Sequence, residues 1–234
     1  MSVPTQPAPR LATDVAPGAN ALLARLAKEA QQPVLAHATR VALARHDVLA
    51  AAGEPPKWAY FLCSGLVSVQ TIMEDAASVE VALLGREGIV CPQLMPGADT
   101  AVTSVVIVAG EAWRLRADAL QAECERSAPL QRVLLQYSHA LVAEMFQRSA
   151  CLTFHTARQR LAKWLLTVSD RTHSARIDMT QDRLGQVLGL QRTGVNAASI
   201  ALQDLGVIKA RHGHITILDR RRMQEVACEC GRGQ

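Results

Sequence analysis

The chain has 234 residues, 49% of them hydrophobic but only 3% aromatic, with a formal net charge of +4. That length leaves room for two domains that each bury a core, and it excludes the small disulfide-stapled scaffolds. No uninterrupted apolar run reaches the roughly 18–20 residues needed to cross a bilayer, so no membrane partner is expected.

Residues 1–19 are rich in Pro and Ala and lack the apolar core of a signal peptide, so they read as a flexible tail. With no export signal and no disulfide framework, the expectation is a cytoplasmic protein with reduced thiols. Asn20 is placed to cap a short helix carrying Leu22, Leu23 and Leu26 on one face. From 41 to 115 short β-rich segments alternate with turns: 41–43, 47–49, 60–62, 66–69, 79–84 and 103–108. Gly53-Glu54-Pro55-Pro56, Ser64-Gly65, Gly85, Gly97 and Gly110 punctuate them. Strands at roughly ten-residue intervals with glycine turns predict a β jelly roll over 20–128.

A long helix follows at 129–153. Leu130, Leu134, Tyr137, Leu141, Met145, Arg148 and Leu152 recur at three- and four-residue steps, nearly a heptad seam. The first five are assigned to a homodimer contact; the other reading of the same spacing is a helix packed on its own domain. A further helix, 157–167, turns Leu161, Trp164, Leu165 and Val168 inward. Phe154-His155 between the two helices reads as a hinge or as an ordinary junction.

The last segment, 154–234, carries the sharpest pattern. Thr180 can cap a helix through Leu184, Val187 and Leu188, and Gly189 stands where a chain leaving a helix needs a left-handed residue. A second helix, from about 191 to 205, buries Val195, Ala198, Leu202 and Leu205 and stops at Gly206. Arg192, Thr193, Asn196 and Ala197 are left outside near its N-terminus, the end that a recognition helix presents to base edges. Segments 207–210 and 214–218 read as a hairpin wing around His212-Gly213. The pattern predicts a winged helix-turn-helix that binds double-stranded DNA. Charge agrees: residues 156–234 hold 13 Lys/Arg against 7 Asp/Glu, whereas 1–155 hold 12 against 14. A basic module on a mildly acidic remainder suits a polyanionic partner.

The order of parts resembles the Crp/Fnr family of bacterial transcription regulators over about residues 20–230. The residues that carry the likeness are Phe61-Leu62-Cys63-Ser64-Gly65, Gly85-Arg86-Glu87-Gly88, Arg160-Leu161-Ala162-Lys163-Trp164-Leu165-Leu166 and Thr180-Gln181-Asp182-Arg183-Leu184-Gly185. The tail Ala227-Cys228-Glu229-Cys230 looks like one found in a branch of that family. The resemblance implies an α+β fold: a cyclic-nucleotide-binding-like jelly roll, a dimerisation helix and a winged helix-turn-helix. It implies a homodimer on palindromic operators, switched by an effector at the jelly roll, with RNA polymerase a further partner if it activates.

The effector is not legible. Cyclic-nucleotide binders of the family set an acidic residue after the first glycine and an Arg-Ser pair further on, the Arg clamping the cyclic phosphate. Here Gly85 is followed by Arg86, the Arg-Ser positions correspond to Thr100-Ala101, and no arginine lies between Ile89 and Trp113. Gly85, Arg86, Glu87, Gly88, Thr100 and Ala101 remain the candidate pocket, with cyclic AMP not expected to bind and no cofactor required. For DNA, the family's base-reading positions fall on Arg192, Thr193 and Ala197, with Asn196 adjacent. Arg192 keeps the family's arginine, suited to guanine. Thr193 and Ala197 depart from the family's pattern, so the operator is expected to differ from the best-known site. Thr180, Gln181, Gln191, Arg211 and His212 are candidate phosphate contacts.

Cys63, Cys91, Cys124 and Cys151 stand at apolar positions and read as small buried hydrophobes. Cys228 and Cys230 form the only close pair. With no CxxC or His beside them they are not expected to bind metal, a redox or metal-linked role being the minority reading. His37, His46, His139 and His155 read as ordinary polar residues rather than haem ligands. No Walker loop and no catalytic triad or carboxylate pair is visible, so no catalytic residue is assigned. The remaining alternative is a jelly-roll binding module whose helical tail contacts protein rather than DNA.

Overall fold

The computed structural model describes residues 20–75, 77–90 and 99–231. The expected tail at 1–19, the Gly97 turn and Cys91 fall outside the described residues. Packing divides the described residues into two compact units: those within 20–72 and 81–142, and those within 73–80 and 143–231.

The first unit opens with the short helix α1 (Ala21–Ala24). The Asn20 side-chain oxygen accepts from Leu22 N and Leu23 N, while its Nδ2 donates to Leu62 O and Gly88 O. One side chain thus caps a helix and ties it to the barrel. Helix α2 (Lys28–Ala36) follows, with Pro33 inside it. Eight strands then run β1 (Thr39–Leu43), β2 (Val48–Ala50), β3 (Trp58–Leu62), β4 (Leu66–Ile72), β5 (Ser78–Leu84), β6 (Ile89–Val90), β7 (Thr103–Val108) and β8 (Gly110–Arg116). They form two four-stranded sheets, ordered β1-β8-β3-β6 and β2-β7-β4-β5.

Alternation decides what each sheet covers. On β3, Tyr60 and Leu62 join a core fed by all eight strands, including Val41, Leu49, Val67, Leu84, Val90, Val106 and Ala112. Ala59 and Phe61 point the other way, into a second core with Leu22, Leu23, Val34 and Leu120. Both faces of this sheet are therefore buried, which is why the strand reads as nearly continuous apolar sequence.

Helix α3 (Ala117–Arg126) leads into α4 (Ala128–Phe154), a continuous helix that passes from the first unit into the second. Its apolar spacing belongs largely to its own domain. Leu130 and Leu134, each 1% exposed, sit in the second core with Phe61 and Leu115. The Tyr137 hydroxyl donates to Ile89 O, and Leu141 packs against the sandwich core. Leu130 and Leu134 are thus committed to the jelly-roll core, Tyr137 and Leu141 are half-buried against it, and of the five expected dimer residues Met145 is the exposed one. The exposed apolar stripe of α4 shares only Met145 with that set and adds Leu135, Val142 and Phe146. Arg148, the charged residue of the expected seam, pairs with the buried Glu80 at 2.5 Å within the second unit.

The second unit continues with α5 (Ala157–Thr172), opened by a reciprocal capping box between Thr156 and Gln159. It buries Leu161, Trp164, Leu165 and Val168 and runs five residues past the expected end at 167. Strand β9 (Arg176–Asp178), helices α6 (Gln181–Leu188) and α7 (Arg192–Asp204), strands β10 (Ile208–Arg211) and β11 (His214–Ile217), and helix α8 (Arg220–Val226) complete it, with a short 3-10 turn at Glu229–Gly231.

Candidate nucleic-acid interface

The helix-turn-helix is built by local chemistry. The Thr180 hydroxyl accepts from Arg183 N at 3.3 Å and starts α6. Gly189 ends it at φ 60°, a conformation that costs a residue with a Cβ about 1–2 kcal/mol. Leu190 N then donates to Gly185 O at 2.9 Å. A Cβ on Gly185 would lie 2.7 Å from Leu190 O, so the turn closes onto α6 only because position 185 has no side chain. Gln191 precedes α7 without a side-chain cap.

Helix α7 buries Val195, Ala198, Ser199 and Leu202 against the second unit. Leu205, expected on this inner face, is only half-buried at the C-cap. Arg192, Thr193, Asn196 and Ala197 are all exposed on one side of its first turns. The Arg192 side chain is 74% exposed and lies 3.8 Å from the Asp182 carboxylate. Gln181 Nε2 donates to Asn196 Oδ1 at 3.4 Å, bringing a candidate phosphate contact beside a candidate base contact. Thr180 and Gln191 are exposed, and Arg211 and His212 stand exposed at the tip of the β10–β11 hairpin. The wing has a third strand that the sequence pattern did not reveal, β9, paired antiparallel with β11 through Ile177 and Ile215. Arg160 is inward-facing: its Nη1 donates to Leu188 O at 3.0 Å, fixing the end of α6 on α5.

The proposed effector residues have other work in the first unit. Gly85 N donates to the Glu87 carboxylate, Gly88 N to Gly85 O, and Ala21 N to Arg86 O. With Asn20 on Gly88 O, the Gly85–Gly88 turn brackets α1. Thr100 exchanges backbone hydrogen bonds with Gly53 and Glu54, and its side chain is buried. The Arg86 side chain is exposed, and Ala101 adds no polar group.

The cysteines divide in two. Burial pushes the Cys63 thiol up, partly opposed by the Arg40 charge, as expected for a packing residue. Cys151, Cys228 and Cys230 differ. The expectation of no metal ligand rests on Cys228 and Cys230 lacking partners in sequence. In the fold Cys151 and His155 stand beside them, so that premise fails. Burial and the neighbouring thiols push Cys228 up to about 12.

Comparison with known proteins bears on both units. The family model described as cyclic nucleotide-binding domain matches residues 40–127, and that of the Crp-like helix-turn-helix domain matches 159–226. Comparison with curated proteins finds no match. Among solved structures, a Crp/Fnr-family putative transcriptional regulator from Eubacterium rectale superposes with a TM-score of 0.75 at 15% identity, covering 92% of this chain and 99% of that one. The c-di-GMP responsive global regulator CLP of Xanthomonas campestris gives 0.70 at 17%, covering 82% and 100%. FixK2 of Bradyrhizobium japonicum gives 0.69 at 18%, covering 82% and 98%. At such identities these structures speak to the fold. No helix among the described residues is long and apolar enough to cross a membrane. The two family models together span two thirds of the sequence in the order jelly roll then helix-turn-helix, and the chain belongs to the Crp/Fnr family of transcription regulators.

Proposed function

We propose that the protein reads a palindromic operator as a homodimer, with α7 of each copy in successive major grooves. The observation that carries this is the exposed first turns of α7. Arg192, Thr193, Asn196 and Ala197 face out together while Val195, Ala198 and Leu202 hold the helix in place. Arg192 reads guanine, and Asn196 reads an adjacent base or phosphate. Thr180, Gln181, Gln191, Arg211 and His212 supply phosphate contacts around them; Gln191 leaves the α7 amides without a side-chain acceptor, open to a phosphate oxygen. The two copies meet along Leu135, Val142, Met145 and Phe146, the apolar stripe of α4 that its own domain leaves uncovered. The DNA partner places the protein in the cytoplasm. Cyclic AMP is not its effector: the segment between Ile89 and Trp113 has no arginine to clamp a cyclic phosphate, and the Gly85–Gly88 turn is committed to holding α1. If the protein activates, RNA polymerase is a further partner.

The test is selection of bound duplexes from a random pool by the purified chain without effector. Enrichment of a two-fold symmetric site supports the proposal. Enrichment of an asymmetric half-site overturns the dimer, and absence of salt-dependent duplex binding overturns the DNA reading itself. Calorimetric titration with cyclic AMP giving micromolar binding overturns the effector assignment.

A further inference from the structure

Four potential metal ligands from two distant parts of the sequence converge in the second unit. Cys151 lies in the last turn of α4, and His155 follows one turn later, its N–H donating to Cys151 O at 3.2 Å. A helical bond at that spacing sets the two side chains on one face. The partners arrive from the other end of the unit. Helix α8 stops at Val226, and the turn after it delivers Cys228 and Cys230, with Glu229 between them.

The ligand atoms of Cys151, His155, Cys228 and Cys230 all lie within 4.8 Å of one another. Cys151 Sγ and Cys228 Sγ are 3.6 Å apart, and Cys230 Sγ is 3.5 Å from His155 Nδ1. A tetrahedral zinc ion with Zn–S of about 2.3 Å and Zn–N of about 2.0–2.1 Å has S···S edges of about 3.8 Å and S···N edges of about 3.6 Å. Two independent edges of the cluster therefore already have the lengths that coordination sets, and the longest edge needs only a small contraction. The surroundings complete the site. His155 Nε2 faces the Glu229 carboxylate at 3.2 Å, the arrangement in which a carboxylate fixes the imidazole that binds metal through its other nitrogen. Gln147 Nε2 donates to Cys230 Sγ at 3.0 Å, a contact suited to a thiolate, and the Lys163 charge acts on both Cys151 and Cys228.

We propose that Cys151, His155, Cys228 and Cys230 bind one Zn2+ in a closed tetrahedral site. The inference does not depend on the operator reading. Each thiol binds as thiolate, so loading releases the thiol protons to solvent, and three thiolates with Zn2+ leave one negative charge beside Lys163. All four positions come from protein, so the ion is structural rather than catalytic. It clamps the chain after α8 onto the junction where α4 ends and Thr156 caps α5. A disulfide would explain the approach of Cys151 and Cys228 alone. It would leave His155, Cys230, Glu229 and Gln147 arranged around nothing.

The experiment uses the full chain, purified under reducing conditions without chelator, with zinc measured by mass spectrometry. The reduced apo-protein is then titrated with Co2+. The expected results are one Zn2+ per chain and, with cobalt, the visible bands of a tetrahedral site plus thiolate-to-metal charge transfer, displaced by one equivalent of Zn2+. Cys230→Ser and His155→Ala, both at half-buried positions, should lose the charge-transfer spectrum or the stoichiometric binding. Glu229→Gln should weaken Zn2+ about 10- to 100-fold while keeping the spectrum. Cys124→Ser, outside the cluster, should change neither. A folded, reduced wild-type chain that retains no zinc and gives no tetrahedral cobalt spectrum overturns the proposal. So does isolation of the chain with Cys151 and Cys228 disulfide-bonded and no metal, or an unchanged spectrum in Cys230→Ser and His155→Ala.

Discussion

Replacing Arg192 with alanine separates base reading from simple charge attraction. A guanidinium pairing with the O6 and N7 of guanine discriminates by about 1–3 kcal/mol, so a dimer with two half-sites loses about 2–6 kcal/mol, roughly 30-fold to 20,000-fold in affinity. The free protein offers Arg192 a competing partner, Asp182 at 3.8 Å, but both side chains are well exposed, 74% and 69%. Such a pair is worth about 0–1 kcal/mol, so the base contact wins. Fluorescence anisotropy with the selected operator, and with one whose contacted guanine is changed, gives the numbers as a function of salt. Arg192→Ala should bind both duplexes alike, at about the affinity of the wild type for the changed one. Asp182→Asn frees Arg192 and removes a negative charge from the DNA face; over two half-sites it should tighten operator binding by up to about 30-fold. If Arg192→Ala instead weakens both duplexes equally and flattens the salt dependence by about 0.9 per half-site, Arg192 touches phosphate and the base assignment is wrong.

Other perturbations probe the parts that hold α7 in place. Gly185→Val puts a Cβ within 2.7 Å of Leu190 O; the turn must open, at a cost of about 1–3 kcal/mol, and thermal melts should show a lower Tm together with lost DNA binding. Glu80 is fully buried and held by Arg148 at 2.5 Å and by Trp164 Nε1 at 3.1 Å. Arg148→Ala removes the guanidinium paired with that buried carboxylate and should cost about 3–5 kcal/mol in denaturant unfolding, most of it recovered by adding Glu80→Gln. Burial holds the Glu144 carboxyl above the usual carboxylate range, only partly offset by Arg171, Arg148 and Lys163. The folded state therefore holds that proton more tightly than the unfolded chain. The contribution of Glu144 to stability is fully present below the unfolded pKa of about 4.3 and is lost as pH rises through the folded value. Glu144→Gln should flatten that decline in Tm measured against pH. Val142→Glu places a charge in the exposed stripe of α4 and should shift sedimentation from dimer towards monomer without lowering the Tm of the monomer; an unchanged dimer would place the interface elsewhere.

The second unit was the most legible in sequence because its boundaries are set by single residues with local chemistry. Thr180 and Gly189 are where the caps stand, at φ −79° and 60°, and Gly206 follows α7 at φ 70°. The same holds for Asn20 before α1. What escaped were elements without such markers. Strand β9 has three residues and gains its identity only from pairing with β11. Helix α2 contains Pro33, which argues against a helix from sequence. Strand β8 carries Glu111, Trp113 and Arg114 and is recognisable only between β1 and β3.

Helix α4 and the cysteines show a different limit. A helix with apolar residues on two sides has two stripes of similar period, and periodicity cannot say which stripe meets its own domain. Leu130 and Leu134 take the inner side because α1, α2 and α3 bring Leu22, Val34 and Leu120 against them, contacts no local pattern encodes. The residues 151–155 carry the same lesson at one site. In sequence Cys151 reads as a small apolar residue and Phe154-His155 as a hinge or an ordinary junction. The helix does end there, because Thr156 and Gln159 cap the next one, but the break is flanked by two ligand atoms facing Cys228 and Cys230. Cys-x3-His is a recognisable half-site and Cys-x-Cys another, yet 72 residues lie between His155 and Cys228. Only α8, folding back along α5, brings the halves together. A junction whose freedom to bend the sequence leaves open is thus one that a single ion would lock. Chelation should then alter the α4–α5 junction while leaving the exposed face of α7 chemically unchanged.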